Sequence, residues 1–307
     1  MNQSVAVLFP GQGSQSVGML FDLALHAPII QETFAEASQI LGYDLWHLCQ
    51  EGPAETLNQT QYTQPALLTA SVAIWRLRNQ PEALQPAYLA GHSLGEYTAL
   101  VCAEALSFEA ALHLVILRAQ YMQEAVPEGQ GAMAAVLGLD DRSIRKVCAA
   151  VCAEQPGLFV SPANYNTPGQ VVIAGHLIAV LAAAEKAKAL GAKRVLPLPV
   201  SVPSHCDLMK PAAERLATVL ETVSFEPPKI PVIHNADMAI HQSAAAIRAA
   251  LVAQLYQPVC WVDTVRWILD QGIDHFYECG PGSILCHLNK RIEPRASCVA
   301  WSKMEDL

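Results

Sequence analysis

Residues 87–95, AYLAGHSLG, decide the fold that we predict for this chain. The first four residues form a short apolar run, which is typical of a buried parallel strand. The next five, GHSLG at residues 91–95, match G-x-S-x-G, the pattern of a sharp turn from a strand into a helix. The pattern also occurs where a serine only caps a helix. Its position between an apolar strand and a helix over 94–105 favours a nucleophile at Ser93, held above the sheet.

Apolar runs and helical stretches alternate on both sides of this turn. Residues 4–9 predict a strand before a glycine turn, and two more strands are predicted at 231–234 and 273–279. Helices are predicted at 28–41, 65–77, 107–126, 242–255 and 261–271. This alternation predicts an α/β fold built on a parallel sheet.

The segment 131–198 has a different order. Its predicted elements are a strand at 131–138, a helix at 140–154, strands at 158–164 and 170–175, a helix at 176–190 and a strand at 192–200. The order β-α-β-β-α-β is the split pattern of a ferredoxin-like unit. We therefore expect a large α/β core formed by residues 1–128 and 199–307, with residues 129–198 inserted as a small subdomain.

Composition excludes several classes of protein. The chain has 307 residues, of which 52% are hydrophobic and 15% charged, and its formal net charge is -9. A chain this long and apolar buries a large core, and its acidic balance argues against nucleic-acid binding. No apolar stretch reaches about 18 residues without a charge, so we expect no membrane span. Nine scattered cysteines without zinc spacing predict reduced thiols, no metal site and a cytoplasmic location.

A serine nucleophile needs a base, and the chain has ten histidines. His92 adjoins Ser93, and neighbouring side chains diverge in such a turn. Three others belong to helical stretches, where partial burial is the simpler explanation: His26, His47 and His113. His205 and His234 follow predicted strand ends, where open α/β sheets place their sites. Spacing alone does not choose between these two.

Arg118 is the most informative charge in the sequence. It shares one stripe of its predicted helix with Ala111, Leu114, Val115 and Met122. That stripe is apolar, so the guanidinium must meet an anion, because an unpaired buried charge is costly. The partner is either an internal Asp or Glu, which the pattern alone favours, or a substrate carboxylate bound in a bidentate manner.

The first glycine turn, Gly11-Gln12-Gly13, follows the first predicted strand. It lacks the third glycine of a dinucleotide fingerprint, since Ser16 stands at that position. A turn that presents backbone N–H groups and the Gln12 amide at the sheet edge suits an oxyanion instead.

Further motifs accompany the turn in chain order. They are FPGQGSQ at 9–15, GHSLGEY at 91–97, Arg118, NYNTPGQ at 164–170, VPSH at 202–205 and GPG at 280–282. With these motifs the chain resembles the bacterial malonyl-CoA:acyl-carrier-protein transacylases of fatty-acid synthesis. The resemblance covers nearly all 307 residues and departs from the family at no catalytic position. It implies an α/β-hydrolase-like core with a ferredoxin-like subdomain.

The resemblance also implies roles for individual residues. Ser93 is expected to be the nucleophile, His205 its base and Arg118 the site of the malonyl carboxylate. The backbone carbonyl of Gln254 is expected to orient the histidine, so no carboxylate partner is expected there.

The other implied site residues are expected to bind substrate. Gln12 and the Leu94 N–H are expected to form an oxyanion hole, and Gln64 to line the site. The implied partners are malonyl-CoA, coenzyme A and holo acyl carrier protein. No cofactor, metal, nucleic acid or membrane is expected, and we expect a monomer. An exposed basic group is a candidate surface for the acidic carrier protein, although such lysines often only face solvent: Lys186, Lys188, Lys193, Arg194 and Lys210.

Two rival functions fit the turn without the resemblance. A serine hydrolase predicts an acid beside the histidine and gives Arg118 no role. A carrier-protein docking module leaves Ser93 as a helix cap. A related subunit of malonate decarboxylase uses chemistry similar to that of the transacylase.

Overall fold

The computed structural model describes residues 4–78, 85–200 and 202–302, which form an α/β fold with two separate sheets. The first sheet is parallel, and its five strands are, in spatial order, β7 (Val232–Ile233), β2 (Tyr88–Gly91), β1 (Ala6–Phe9), β8 (His275–Glu278) and β9 (Ser297–Ala300). The second sheet is antiparallel, with the order β4 (Val160–Thr167), β5 (Gln170–His176), β3 (Gly131–Leu137) and β6 (Arg194–Pro197).

Helices surround both sheets. Those outside the segment of the second sheet are α1 (Phe21–His26), α2 (Pro28–Leu41), α3 (Leu45–Glu51), α4 (Ala54–Leu57), α5 (Thr60–Arg78), α6 (Gly95–Cys102), α7 (Phe108–Ala125), α10 (Lys210–Leu220), α11 (Ala244–Gln254), α12 (Trp261–Asp270) and α13 (Ile284–Ile292). Helices α8 (Asp141–Glu154) and α9 (Leu177–Ala189) pack on the second sheet and share one apolar cluster with it. Each sheet therefore has a core of its own.

Strand register brings four loops to one edge of the parallel sheet. Phe9 at the end of β1 pairs with Gly91 at the end of β2. Glu278 of β8 pairs with Leu8, and Ile233 of β7 pairs with Ala90. Because parallel strands end at the same edge, the segments that follow all four strands converge there.

The predicted fold class is confirmed: the chain has a parallel sheet and a separate antiparallel sheet. The ferredoxin-like assignment and the domain boundaries at 129 and 198 stay predictions. Backbone hydrogen bonds join β4 of the second sheet to the segment between α11 and α12, since Tyr165 N–H donates to Val259 O and Val259 N–H donates to Ala163 O.

The structure differs from the prediction in several elements. Helix α5 begins at Thr60 rather than at Pro65. Thr60, Thr63 and Gln64 are buried and Thr63 Oγ1 donates to Leu57 O, so packing outweighs the start signal of the proline. The three helix histidines, His26, His47 and His113, are exposed, so their expected partial burial is wrong. The sequence pattern does not indicate α1, α3, α4, α10 or β9.

Candidate active site

Ser93 occupies the turn between β2 and α6 in a left-handed backbone conformation, with φ 52°. Only glycine fits two positions before it and two positions after it. A Cβ on Gly91 would lie 1.9 Å from the Gly95 backbone carbon, and a Cβ on Gly95 would lie 2.0 Å from Phe9 O. The Ser93 N–H donates to Asn235 Oδ1 at 2.7 Å, which holds the strained residue in place. The turn thus presents the Ser93 hydroxyl at the sheet edge.

His205 is the histidine that meets this hydroxyl. Its Nε2 lies 2.7 Å from Ser93 Oγ, and its Nδ1 lies 2.8 Å from Gln254 O. A carbonyl oxygen can only accept, so Nδ1 carries the proton and Nε2 is free to accept one from Ser93. Burial, followed by the charge of Arg118, lowers the pKa of His205 to about 3. The imidazole is therefore neutral at neutral pH and suited to act as a base.

The other candidate, His234, lies apart from the hydroxyl. It is fully buried, and its Nδ1 lies 2.7 Å from Glu96 Oε1. Among described residues, no carboxylate bonds to His205; the nearby Asp207 pairs with Lys210 at 2.8 Å. The geometry favours His205 as the base and a backbone carbonyl as its partner.

Arg118 is 1% exposed, and its guanidinium reaches the same hydroxyl. One terminal nitrogen donates to Ser93 Oγ at 3.2 Å and to Gln254 Oε1 at 3.0 Å. The guanidinium carbon lies 5.6 Å from the centre of the Tyr97 ring. No Asp or Glu in the described ranges forms an ion pair with Arg118. Burial lowers the pKa of Arg118, as expected for a cation without a paired anion.

Three further residues are predicted to belong to the site: Leu94, Gln12 and Gln64. Leu94 directly follows Ser93 and is the N-cap residue of α6. Gln12 lies beyond Gly11, which packs against His92 so closely that a Cβ there would lie 2.5 Å from His92 O. The Gln12 amide donates to Thr60 Oγ1 at 3.5 Å, a length at which the hydrogen bond is weak.

Gln64 is buried beside the helix that carries Arg118. Its Nε2 lies 3.9 Å from Met122 Sδ, one helical turn from Arg118. Its Oε1 has no hydrogen-bond partner among the described residues. A buried acceptor without a partner is uncommon. The expectation that Gln64 lines the site stays a prediction.

Sequence reasoning missed several residues that hold the site together. Glu96, Asn235 and the side chain of Gln254 form a buried hydrogen-bonded group behind the turn. His92 Nε2 lies 2.9 Å from Asn166 Oδ1 on β4, so it joins the turn to the second sheet. A signal for Glu96 was present, because it is a charged residue in a helix that is otherwise almost entirely apolar.

The structure also bears on the predictions about cysteines, metal ligands, membrane helices and the basic surface group. All nine cysteines are free, and five of them are buried. The described part of the chain contains no group of three or more metal-ligating side chains. Among its helices, none has the length and hydropathy needed to cross a membrane. In the basic group, Lys186, Lys188 and Lys210 each pair with a carboxylate at 2.8 Å, while Lys193 and Arg194 are exposed.

Comparison with known proteins identifies the relatives of this chain. Residues 7–296 match the family described as "Acyl transferase domain". The malonyl CoA-acyl carrier protein transacylase of Salmonella typhimurium is 59% identical over 287 residues, covering 94% of this chain and 92% of the relative.

Solved structures of transacylases are also similar to this chain. The malonyl CoA-acyl carrier protein transacylase of Coxiella burnetii has a TM-score of 0.97 and 52% identity, covering 99% of this chain and 96% of that one. A malonyl-transacylase in complex with the holo form of its type II PKS acyl-carrier protein has a TM-score of 0.94 and 56% identity, covering 97% and 95%.

Proposed function

Because this chain belongs to the malonyl CoA-acyl carrier protein transacylase family of acyl transferases, we propose that Ser93 carries a malonyl group from malonyl-CoA to holo acyl carrier protein. The acceptor is the phosphopantetheine thiol of the carrier, and the product supplies malonyl units for fatty-acid synthesis. The reaction needs no cofactor, since serine, imidazole and thioester provide its chemistry.

The first half of the reaction forms an acyl-enzyme. His205 Nε2, at 2.7 Å, takes the proton from Ser93 Oγ as that oxygen attacks the thioester carbon of malonyl-CoA. The tetrahedral intermediate collapses, the C–S bond breaks, and the imidazolium returns the proton to the sulfur of the departing coenzyme A. Malonyl-Ser93 remains.

The second half repeats these steps in reverse with another thiol. His205 takes the proton from the phosphopantetheine thiol, and its sulfur attacks the carbonyl carbon of malonyl-Ser93. The ester C–O bond breaks, and Ser93 recovers its proton from His205. One thioester replaces another, so the transfer is readily reversible.

The negative charge that develops on the carbonyl oxygen needs donors. The Leu94 N–H is suited to this role because it follows the nucleophile and begins a helix, whose N-terminus favours negative charge. The Gln12 amide is the second donor, since its bond to Thr60 is weak. Donors of this kind contribute about 3 kcal/mol each in comparable sites.

The burial of Arg118 without a carboxylate partner is the observation that favours malonyl over other acyl groups as the substrate. Arg118 is buried at the nucleophile and has no carboxylate partner among the described residues. An unpaired buried cation is costly, so the substrate is the expected source of the anion. The malonyl carboxylate supplies it and fixes the thioester against Ser93 at the same time.

The test uses malonyl-CoA with a labelled malonyl group. The protein is mixed with it, quenched in acid and assayed for label bound to protein, with Ser93→Ala as the control. We expect label on the wild type that persists in buffer and moves to added holo carrier protein. Rapid release of free malonate without the carrier would instead indicate a hydrolase, and absence of label would indicate a docking module.

We also propose that the protein works in the cytoplasm as a monomer. Its nine free cysteines support a reducing compartment. Size-exclusion chromatography with light scattering tests the monomeric state, which stays a prediction.

A further inference from the structure

A fully buried carboxylate, Glu96, lies one helical turn beyond the nucleophile, and its side chain bonds to other residues than Ser93. Its Oε1 lies 2.7 Å from His234 Nδ1. Its Oε2 accepts two hydrogen bonds, from the Asn235 N–H at 2.9 Å and from Gln254 Nε2 at 2.8 Å. Glu96 therefore connects three residues behind the turn, His234, Asn235 and Gln254, of which Gln254 also bonds to His205.

The orientation of the Gln254 side chain follows from these contacts. Its Nε2 faces two acceptors, Glu96 Oε2 and, at 2.9 Å, the backbone oxygen of Ser93. Glu96 Oε2 already accepts a backbone N–H, and a carbonyl can only accept, so the NH₂ end of the amide must face both. Both of its hydrogens are thereby used, and Oε1 is left facing away from Glu96.

That oxygen accepts from the Arg118 guanidinium at 3.0 Å. The contact holds Arg118 with a neutral acceptor, so no carboxylate of the described residues touches the guanidinium, and Glu96 acts on its charge only across the Gln254 amide. A carboxylate in the same place would form an internal ion pair and compete with an anionic substrate. The amide fixes the guanidinium beside Ser93 Oγ while leaving its charge to the ligand.

We propose that Glu96 is a positioning residue that selects for malonyl: it fixes the Gln254 amide, and the amide fixes the Arg118 guanidinium that binds the carboxylate. This inference rests on the function proposed above. Gln254 then has two separate duties, since its backbone oxygen orients His205 and its side chain holds Arg118.

The experiment measures the ratio of kcat/KM for malonyl-CoA to that for acetyl-CoA, which has no carboxylate. Loss of one hydrogen bond to a charged group is expected to lower the ratio by about 10-fold to 100-fold in Glu96→Met. Glu96→Gln keeps an acceptor oxygen at the same place and is expected to restore the wild-type ratio. Gln254→Met keeps the backbone oxygen for His205 but loses the amide, so the same loss is expected without Glu96 being changed.

Two further variants make the outcome specific. Glu278→Met removes another buried carboxylate, which accepts the N–H groups of Leu285 and Cys286 on α13, and is expected to leave the ratio unchanged. Arg118→Ala gives the ratio of an enzyme without the guanidinium.

A parallel fall of both rates in Glu96→Met and Gln254→Met, with an unchanged ratio, would overturn the inference even where Arg118→Ala lowers the ratio and the proposed function stands. If Glu96→Met does not fold, Glu96→Asp takes its place, because the shorter side chain withdraws the carboxylate oxygen from Gln254 Nε2 and is expected to lower the ratio in the same direction. A wild type that does not transfer malonyl overturns the proposed function together with this inference.

Discussion

Ser93 and His205, whose side chains meet at 2.7 Å, both have left-handed backbone conformations, with φ 52° and 60°. Neither residue is a glycine, so each position stores strain that the surrounding structure must offset. Hydrogen bonds offset it on both sides: the Ser93 N–H donates to Asn235 Oδ1, and the His205 N–H donates to Leu255 O at 3.0 Å. The nucleophile and the base are therefore held by backbone geometry as well as by their side chains.

The strain at Ser93 predicts a difference between two inactive variants. Ser93→Ala and Ser93→Gly both lose the hydroxyl and its contacts, but only glycine adopts φ 52° without steric cost. We expect Ser93→Gly to be about 1 kcal/mol more stable than Ser93→Ala in denaturant unfolding. An alanine variant that is equally stable would show that the turn is not strained.

The close packing at Gly91 predicts a large loss of stability in Gly91→Ala. The added Cβ would lie 1.9 Å from the Gly95 backbone, which cannot move away without displacing α6. The expected cost is about 3 kcal/mol or more. Gly157→Ala is the control, because Gly157 has φ 89° and open space around it, so only backbone strain of about 1 kcal/mol applies. Equal losses in the two variants would contradict the clash.

The lowered pKa of His205 predicts acid sensitivity. The pKa of His205 is about 3 in the folded state, below the ordinary value of 6.5. Between these two pH values the unfolded chain therefore binds a proton that the folded chain does not. Stability due to this group is therefore present above pH 6.5 and is lost as pH falls toward 3. We expect the free energy of unfolding of the wild type to fall by about 2 kcal/mol more than that of His205→Asn between pH 7 and 5. Parallel pH profiles would contradict a buried neutral imidazole.

Arg118→Ala separates substrate recognition from a structural role. If the guanidinium pairs with malonyl, the variant loses malonyl transfer strongly and acetyl transfer much less, and its melting temperature changes little. If Arg118 instead balances an internal carboxylate, the variant strands a buried anion at a cost of about 3–5 kcal/mol. A parallel loss of both activities with a large drop in melting temperature would then be seen.

Local sequence patterns were sufficient to predict the turn that carries Ser93 and the burial of Arg118. Ser93 lies in a five-residue motif whose two glycines are required by close backbone contacts. Arg118 lies on an apolar stripe of its helix, and that position implies that its side chain is buried. Both signals arise within one or two elements, where spacing along the chain determines spacing in the fold.

The support of the site could not be predicted in this way. Glu96 and Gln254 are 158 positions apart, and Glu96 and Asn235 are 139 positions apart. Their contacts depend on which strands are neighbours and on where helix α11 ends, and no pattern within either segment reports that. The choice between His205 and His234 was open for the same reason, because both follow strand ends and only the fold brings one of them to Ser93.

The central claim is that Ser93 carries the malonyl group, and the most direct test locates that group. The protein is mixed with malonyl-CoA, quenched in acid, digested and analysed by tandem mass spectrometry, before and after a chase with holo carrier protein. We predict the mass of one malonyl group on Ser93, its loss on the chase, and its appearance on the phosphopantetheine arm of the carrier. A malonyl group found on another residue, or one that stays on Ser93 while the carrier becomes malonylated, would contradict the account.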